Sequence, residues 1–387
     1  MKRVNLIFRV KGPPAMTSRE RVLATIAHKQ PDRCPVDFWA RADVSARLRA
    51  HLGLATQEEL LERLGIDLRL LPIGERVAAF EARANGVLNG SSESSGKRYV
   101  LHPDGRFEDA WGVVRKLGQD GLYDQWVSGP FAENPDLDRF AWPQGDLYDS
   151  VEALRARAAG WKGRYAVMGR LTLPFKSAWH MRGFENFLCD MMADPPYARA
   201  LLQRIADYEL DKGLRLARAG ADIIGIYGDL AMQDRMLVHP GAWRQTEKPI
   251  LADLVCRLRA VKPDLKIFFH SDGDVTEIIP DYLEIGADIL NPIQPECMDP
   301  AVVKRDFGDR LTMHGTLSLQ RTLPKGTPDD VRREVLDRIR TCGREGGLIL
   351  CPSNLLQNDT PLENILAIYD AQTPPGTPRS GRGKRKG

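Results

Sequence analysis

The chain of 387 residues lacks any apolar run close to the ~18–20 residues that a membrane-spanning helix requires. Its first fifteen residues, "MKRVNLIFRVKGPPA", contain too few apolar side chains for a signal peptide, and Arg9 interrupts those that are present. We interpret residues 1–15 as an N-terminal extension. The chain as a whole is expected to be cytoplasmic, without contact to a membrane.

The cysteines also show no spacing pattern typical of disulfide-rich or metal-binding domains. The six cysteines lie at positions 34, 189, 256, 297, 342 and 351. They form no CxxC pair and no compact framework, which argues against a disulfide-stapled domain and favours reduced thiols.

A strong excess of charge of one sign is absent, since the formal net charge is +3. Basic residues concentrate in the last ten positions, where Arg379, Arg382, Lys384, Arg385 and Lys386 lie. Without them the body of the chain is close to neutral, so nucleic-acid binding is not indicated. Residues 372–387 have no apolar anchor and are predicted to be a disordered basic tail.

Glycine-rich phosphate-binding motifs are missing as well, because neither GxGxxG nor GxxxxGK[ST] follows a strand-like segment. The chain instead contains short, mostly apolar segments that alternate with helical patterns. These predicted strands are residues 34–39, 67–72, 164–169, 221–229, 266–272, 287–294, 311–317 and 347–353. Strands buried on both faces and alternating with helices are typical of parallel β/α units.

Eight such strands predict an α/β fold, a (β/α)8 TIM barrel formed by a single domain over residues 16–371. Residues 75–160 are predicted to be an insertion. Within it, "GKRYVLHPDGRFEDAWGVVRKL" indicates β-hairpins around Asp104-Gly105, followed by a crossover that contains proline and tryptophan. A doubly wound sheet is the alternative architecture.

The strongest candidate for chemistry follows the apolar stretch "IFF", residues 267–269. Catalytic groups of such barrels lie at the C-terminal ends of the strands. His270 and Asp272 occupy one of these ends, and in an extended chain both side chains point to the same face. A histidine beside a carboxylate suits metal ligation or proton transfer. A lone histidine after an apolar run is more often structural, and it is Asp272 that favours the functional interpretation.

Neighbouring strand ends supply further candidates. Asp229 and His314 are candidate catalytic residues, although a solvated loop aspartate and a packed strand histidine are the plain alternatives. The amides of Gln233, Asn291 and Gln294 suit the orientation of a polar substrate better than acid–base work.

Six stretches of the chain together resemble the uroporphyrinogen decarboxylase superfamily, which includes porphyrinogen decarboxylases and the zinc methyltransferases that act with methylcobalamin and thiols. The stretches are "MTSRERVLATIAHKQPDRCPVDF", "SAWHMRGFENFLCDMMADP", "GDLAMQDRMLVHPGAWRQTEKP", "FFHSDGDVTEIIPDYLEIGADILNPIQPE", "LSLQRTLPKGTPDDVRREV" and "LILCPSNLLQNDTPLENILAIYDA". The resemblance implies a (β/α)8 barrel with its site at the C-terminal mouth. Asn354, which follows the last predicted strand, and Arg182 are further candidate substrate-binding residues.

Two departures from the superfamily pattern concern this site. Porphyrinogen decarboxylases carry a PxWxMRQAGR motif, whereas this chain has "CPVDFWARADV", in which Arg41 is at best a remnant. The zinc methyltransferases use a His-x-Cys motif and a later cysteine. His270 matches their histidine, but Asp272 and Asn354 stand where the two cysteines would be. Loss of both thiolates weakens and hardens a zinc site.

The leading hypothesis is therefore methyl-transfer-like chemistry on a small-molecule substrate. Zinc or another divalent metal would bind at His270 and Asp272, a corrinoid would be the methyl donor, and a corrinoid protein would be a partner; a homodimer is a candidate assembly. One alternative is a uroporphyrinogen-type decarboxylase of tetrapyrrole biosynthesis. The other is a barrel that binds a ligand without catalysis.

Overall fold

The protein is described by a computed structural model that covers residues 16–75, 77–88, 97–118 and 124–372. Its strands, in chain order, are β1 (Leu68–Leu70), β2 (Gly86–Leu88), β3 (Lys97–Leu101), β4 (Arg106–Glu108), β5 (Val114–Leu117), β6 (Asp124–Ser128), β7 (Ala166–Thr172), β8 (Ile223–Tyr227), β9 (Lys266–His270), β10 (Ile289–Asn291), β11 (Thr312–His314) and β12 (Leu348–Ile349). The predicted N-terminal extension, 1–15, and nearly all of the predicted basic tail lie outside the described residues.

The described helices, three of which precede β1, are α1 (Ser18–Ile26), α2 (Ala42–Leu52), α3 (Gln57–Leu64), α4 (Ala78–Glu81), α5 (Val151–Ala158), α6 (Pro174–Arg182), α7 (Phe184–Ala193), α8 (Pro195–Ala219), α9 (Pro240–Thr246), α10 (Lys248–Val261), α11 (Ile279–Ile285), α12 (Pro300–Phe307), α13 (Thr322–Lys325), α14 (Pro328–Cys342) and α15 (Leu362–Asp370). A 3₁₀ turn, Thr276–Ile278, precedes α11. Among these described helices, none is both long and apolar enough to cross a bilayer.

A curled parallel sheet dominates the described residues. Its seven strands run in the order β1-β7-β8-β9-β10-β11-β12, so neighbours in the sheet after β7 are also consecutive along the chain. This order confirms the predicted β/α barrel and excludes the doubly wound alternative, whose strand order reverses near the middle. A second sheet, β2-β3-β4-β5-β6, is antiparallel and lies in the insertion between β1 and β7. Its β3–β4 hairpin turns at the predicted Asp104-Gly105.

The first predicted strand, 34–39, is the exception. It forms only an isolated parallel bridge between Val36 and Leu350. Its backbone nevertheless bonds to both ends of the sheet, because Leu350 donates to Pro35 and Asp67 donates to Val36. Pro35 has no N–H to donate, which limits the regular ladder. The segment therefore occupies the eighth position without being a regular strand.

Successive side chains along each strand point alternately outward and inward, and they form two separate hydrophobic cores. Outward-facing residues such as Val167, Ile224 and Phe269 pack with the surrounding helices. Inward-facing residues form a smaller cluster that fills the barrel: Leu68, Ala166, Met168, Ile223, Tyr227, Phe268, Ile289 and Ile349. Val22 and Ile26 of α1 belong to this inner cluster and pack near the starts of the strands. Helix α1 thus closes the N-terminal end of the barrel and leaves the C-terminal end as its mouth.

Candidate active site

Strand register places four inward-facing side chains at one level near the mouth of the barrel. Tyr227 pairs with His270, and His270 pairs with Asn291 across the next strand boundary. Leu290 pairs with Met313, so His314 comes level with Asn291. Below this level the inner cluster is mostly apolar, and Arg170 and Thr312 are the polar residues of the next layer. The chemistry of the barrel is therefore concentrated in its uppermost layer.

His270 lies between an amide and a carboxylate. Its Nδ1 is 2.6 Å from Oδ1 of Asn291, and its Nε2 is 3.5 Å from Oδ1 of Asp229. Its side chain is 11% exposed, whereas that of Asp229 is 39% exposed. One ring nitrogen is thus held within the barrel wall and the other points toward the more open side of the site.

Asp272 is largely buried close to His270. Asn354 donates its amide N–H to Oδ2 of Asp272 at 2.5 Å. Oδ1 of the same carboxylate is buried and has no hydrogen-bond partner among the described residues. Burial, reinforced by the nearby Asp229 charge, raises the pKa of Asp272 to about 6, and His270, Lys176 and Asn354 oppose that rise. The unmatched oxygen is unusual, because buried polar atoms are ordinarily paired.

A tight turn after β9 ties these residues to their neighbours. The backbone N–H of Asp272 donates to Asp229 at 3.0 Å, and that of Gly273 donates to Oε1 of Gln294 at 2.7 Å. Gly273 has φ +88°, and a Cβ there would lie 2.2 Å from the carbonyl oxygen of Met232. Only glycine lets the turn approach the loop after β8 this closely.

The remaining sequence candidates are placed differently. Gln233 is exposed in the loop after β8. Arg182, at the end of α6, binds Asp190 at 2.8 Å and donates to the carbonyl oxygens of Phe131 and Ala132. Those contacts anchor the segment after β6 to α6, and none of them involves the cluster around His270. The structure thus brings together His270, Asp272, Asp229, Asn291, Gln294, His314 and Asn354, but not Arg182.

Asp37, Arg170 and Tyr227 were placed at polar strand ends from the sequence, but neither they nor Trp39 were selected as site residues, and all four lie near this layer. Asp37 contacts His314 at 3.1 Å and Trp39 at 2.8 Å, and the ring of Trp39 lies 5.8 Å from that of His270. Arg170 lies over the ring of Tyr227, 4.0 Å from its centroid. The available signal was alternation, since Asp37 and Trp39 are two residues apart and follow an apolar stretch, as His270 and Asp272 do.

Within the part of the chain that the structure describes, two groups of side chains have ligand atoms close enough to share a metal ion. The first contains Asp229, His270 and Asp272, and the second contains Asp37, His314 and Cys351; within each, the ligand atoms lie within 4.8 Å of one another. In the second group both nitrogens of His314 already have protein partners, Asp37 and Asn291. Burial also raises the pKa of the Cys351 thiol, which disfavours the thiolate that a metal needs.

The first group fits a divalent ion better. It offers the Nε2 face of His270 and carboxylates from two aspartates, and Oδ1 of Asp272 lacks any other partner among the described residues. Imidazole and carboxylate donors suit hard to borderline ions, including zinc, manganese and iron(II). The donor set differs from the thiolate-rich zinc site that the superfamily resemblance implies.

Comparison with known proteins agrees with this architecture. The family model described as uroporphyrinogen decarboxylase (URO-D) matches residues 127–373. The solved structure of a methyltransferase from Methanosarcina mazei superposes with a TM-score of 0.65 at 20% identity, and the match covers 92% of this chain and 98% of that one. At that identity the likeness concerns the fold alone.

Curated relatives carry two kinds of name. The methylcobamide:CoM methyltransferase MtaA of Methanosarcina barkeri is 30% identical over 367 residues, which cover 92% of this chain and 97% of that protein. The methylated-thiol–coenzyme M methyltransferase of Methanosarcina mazei is 25% identical over 256 residues, and this chain spans 64% of its length. A uroporphyrinogen decarboxylase of Chlorobaculum tepidum is 24% identical over 209 residues, 54% of each protein.

The family match extends over more than half of the chain, and the alignment with MtaA covers nearly all of it. The resemblance predicted from the sequence is confirmed: the chain belongs to the uroporphyrinogen decarboxylase (URO-D) family.

Proposed function

We propose that this protein is a methyl-transfer enzyme that uses a corrinoid methyl donor and acts on a small substrate at the mouth of its barrel. One observation carries the proposal: His270, Asp272 and Asp229 converge at the mouth, and a buried oxygen of Asp272 has no partner among the described residues. The relatedness to MtaA, a methylcobamide:CoM methyltransferase, supports the reaction class.

His270, Asp272 and Asp229 would hold a divalent metal. Such an ion acts as a Lewis acid and can stabilise a deprotonated nucleophile at neutral pH. The surrounding residues supply the setting: Asn291 orients the His270 ring, and Asn354 fixes one oxygen of Asp272. Trp39 and Tyr227 form apolar walls beside His270, which limit the access of water.

The nitrogen and carboxylate ligands of the proposed metal site influence which methyl acceptor the protein would use. The named relatives act with coenzyme M or a methylated thiol, and thiolate-rich zinc sites suit such sulfur chemistry. Nitrogen and carboxylate ligands favour oxygen-coordinating ions instead. Both thiols and hydroxyl compounds therefore belong in the substrate panel, and a corrinoid protein is the proposed methyl-carrying partner.

A methyl-transfer assay tests the proposal directly. The purified full-length protein, supplied with zinc or manganese, is incubated with methylcobalamin and each candidate acceptor. We expect the visible spectrum of the cobalamin to change only when protein, metal and a suitable acceptor are all present, with the methylated product detected by mass spectrometry. Absence of both turnover and bound metal would instead support a barrel that binds a ligand without catalysis.

Porphyrinogen decarboxylation is expected to fail. The chain lacks the PxWxMRQAGR motif, which the resemblance links to binding of the substrate carboxylates. Incubation with uroporphyrinogen under anaerobic conditions should therefore yield no coproporphyrinogen by liquid chromatography, while a known decarboxylase assayed in parallel yields it. Formation of coproporphyrinogen would replace the methyl-transfer proposal with a decarboxylase one.

A further inference from the structure

A continuous chain of side-chain contacts leads from the barrel wall to His270. Asp37 contacts Nε2 of His314 at 3.1 Å, and Nδ1 of His314 lies 2.7 Å from the amide nitrogen of Asn291. The amide oxygen of Asn291 lies 2.6 Å from Nδ1 of His270. Asn291 and His314 are fully buried, so solvent cannot substitute for any link between them.

The proton positions along this chain follow from its first member. Besides His314, Asp37 accepts the backbone N–H of Phe38 at 2.8 Å and the indole N–H of Trp39 at 2.8 Å. Burial would raise the pKa of Asp37, but its hydrogen-bonding and electrostatic interaction with His314, followed by the hydrogen bonds from Phe38 and Trp39, lowers it below the usual value. An ionised carboxylate can only accept. His314 must therefore carry a proton on Nε2.

The remaining links are then determined in turn. The amide nitrogen of Asn291, which can only donate, lies 2.7 Å from Nδ1 of His314, so this Nδ1 carries no proton and accepts from the NH2 group. That orientation directs the amide oxygen of Asn291 at His270. His270 must then donate from Nδ1, so that the lone pair of its neutral ring is on Nε2. That is the nitrogen on the side of Asp229.

Turning the amide of Asn291 over would break the chain at both ends. Its oxygen would face the bare Nδ1 of His314, and its NH2 group would face Nδ1 of His270. His270 would then carry its proton on Nε2. That nitrogen would have no free lone pair with which to bind a metal or accept a proton. Asp37, 277 positions away from His314 in the sequence, thus determines which nitrogen of His270 is available.

Gly315 provides the space for this arrangement. Its φ is +72°, and a Cβ at this position would lie 2.6 Å from the amide nitrogen of Asn291. A side chain there would therefore displace the amide from between the two histidines. The glycine next to His314 is a second, independent feature that accommodates Asn291 in this place.

We propose that Asp37, His314 and Asn291 are positioning residues that hold the proton of His270 on Nδ1 and its lone pair on Nε2, toward Asp229 and Asp272. The proposed function gives this arrangement its purpose, since a metal-binding histidine commonly donates its other N–H to an oriented acceptor. The tautomer itself does not depend on metal, so it can be measured separately.

The test is nuclear magnetic resonance of the full chain labelled with 15N in its seven histidines, before and after metal removal by chelation. Long-range 1H–15N spectra distinguish the two tautomers, and a His270→Gln variant assigns the signal. We expect His270 with its proton on Nδ1 in both samples, and His314 with its proton on Nε2. A proton on Nε2 of His270 in the chelated protein would overturn the inference.

Two substitutions of nearly equal size sharpen the result. Asn291→Leu removes both hydrogen bonds, so His270 should populate both tautomers and bind zinc about ten- to hundredfold more weakly, the range typical of a lost outer contact. Asn291→Asp still accepts from Nδ1 of His270 and should retain that tautomer. In this variant His314 faces carboxylates at both nitrogens and should take up a second proton, visible in the same spectrum.

These outcomes separate the two proposals. If Asn291→Leu folds by circular dichroism and keeps the wild-type tautomer of His270, the positioning inference is wrong. If the wild-type protein shows the expected tautomer but binds neither zinc nor manganese, the inference stands and the metal in the proposed function is wrong. If Asn291→Leu does not fold, the wild-type and Asn291→Asp spectra still decide the question.

Discussion

Replacing His270 by alanine is expected to remove the bound metal from the purified protein and to abolish methyl transfer. His270 supplies the only nitrogen ligand of the proposed set, and the two remaining carboxylates would have to hold the ion without it. Loss of a direct ligand should cost more than the ten- to hundredfold in affinity that loss of an outer contact costs. Bound zinc or manganese should therefore fall to background after gel filtration.

Metal content is measured by mass spectrometry and affinity by competition with a chromophoric chelator. His51→Ala is the matched control, because His51 is exposed on α2 and should leave the metal content unchanged. Asp272→Asn and Asp229→Asn should each weaken binding while His270 remains. A His270→Ala protein that retained stoichiometric metal and full turnover would refute the site.

The sequence predicted the level of the site because barrel strands follow a simple rule. Buried parallel strands read as apolar runs, and their first polar residues mark the C-terminal ends. His270, Asn291 and His314 were predicted in this way to lie at strand ends, and the register places them side by side there. Asp272 was found by alternation, and the structure places its carboxylate among the possible ligand atoms.

Other features depended on contacts that no local pattern encodes. Asp37 meets His314 only after the barrel has closed around all of its strands, and its segment does not even form a regular strand. Arg182 carried no local sign that it would bind Asp190 and the segment after β6 instead of the mouth. Gln233 follows a strand closely, but its loop turns it into solvent. Local periodicity predicts the position of a residue along the barrel axis. Its partners on other strands are determined only when the sheet closes into the barrel.

Asp272 and Asn354, which stand at the two positions where the superfamily resemblance implies cysteines, are in direct contact. Asn354 donates to Asp272, so the pair behaves as one unit. Asn354 holds one oxygen of the carboxylate and leaves the other without a partner among the described residues. This arrangement is what a carboxylate ligand needs, since outer contacts orient a ligand without occupying its binding atom.

Asp67 is expected to be among the most costly positions for stability, although it lies far from the mouth. Its side chain is fully buried, and its two oxygens bind Arg21 of α1 at 2.6 Å and Arg33 at 2.7 Å. It also accepts the backbone N–H of Val36 at 2.9 Å. One carboxylate therefore joins α1, the segment that closes the barrel and the start of β1.

Asp67→Ala should lower the free energy of unfolding by about 3–5 kcal/mol, because it breaks a buried ion pair with Arg21, for which Asp32 is then the remaining carboxylate partner, and leaves the backbone N–H of Val36 without its acceptor. The change is measured by urea unfolding followed by far-UV circular dichroism. Asp253→Ala is the control: its ion pair with Arg257 on α10 is exposed on both sides, and such pairs contribute about 0–1 kcal/mol. Equal midpoints for the two variants would show that the Asp67 network does not hold the barrel closed. A large difference would show that α1 and the irregular eighth segment are fixed to β1 by charge as well as by apolar packing.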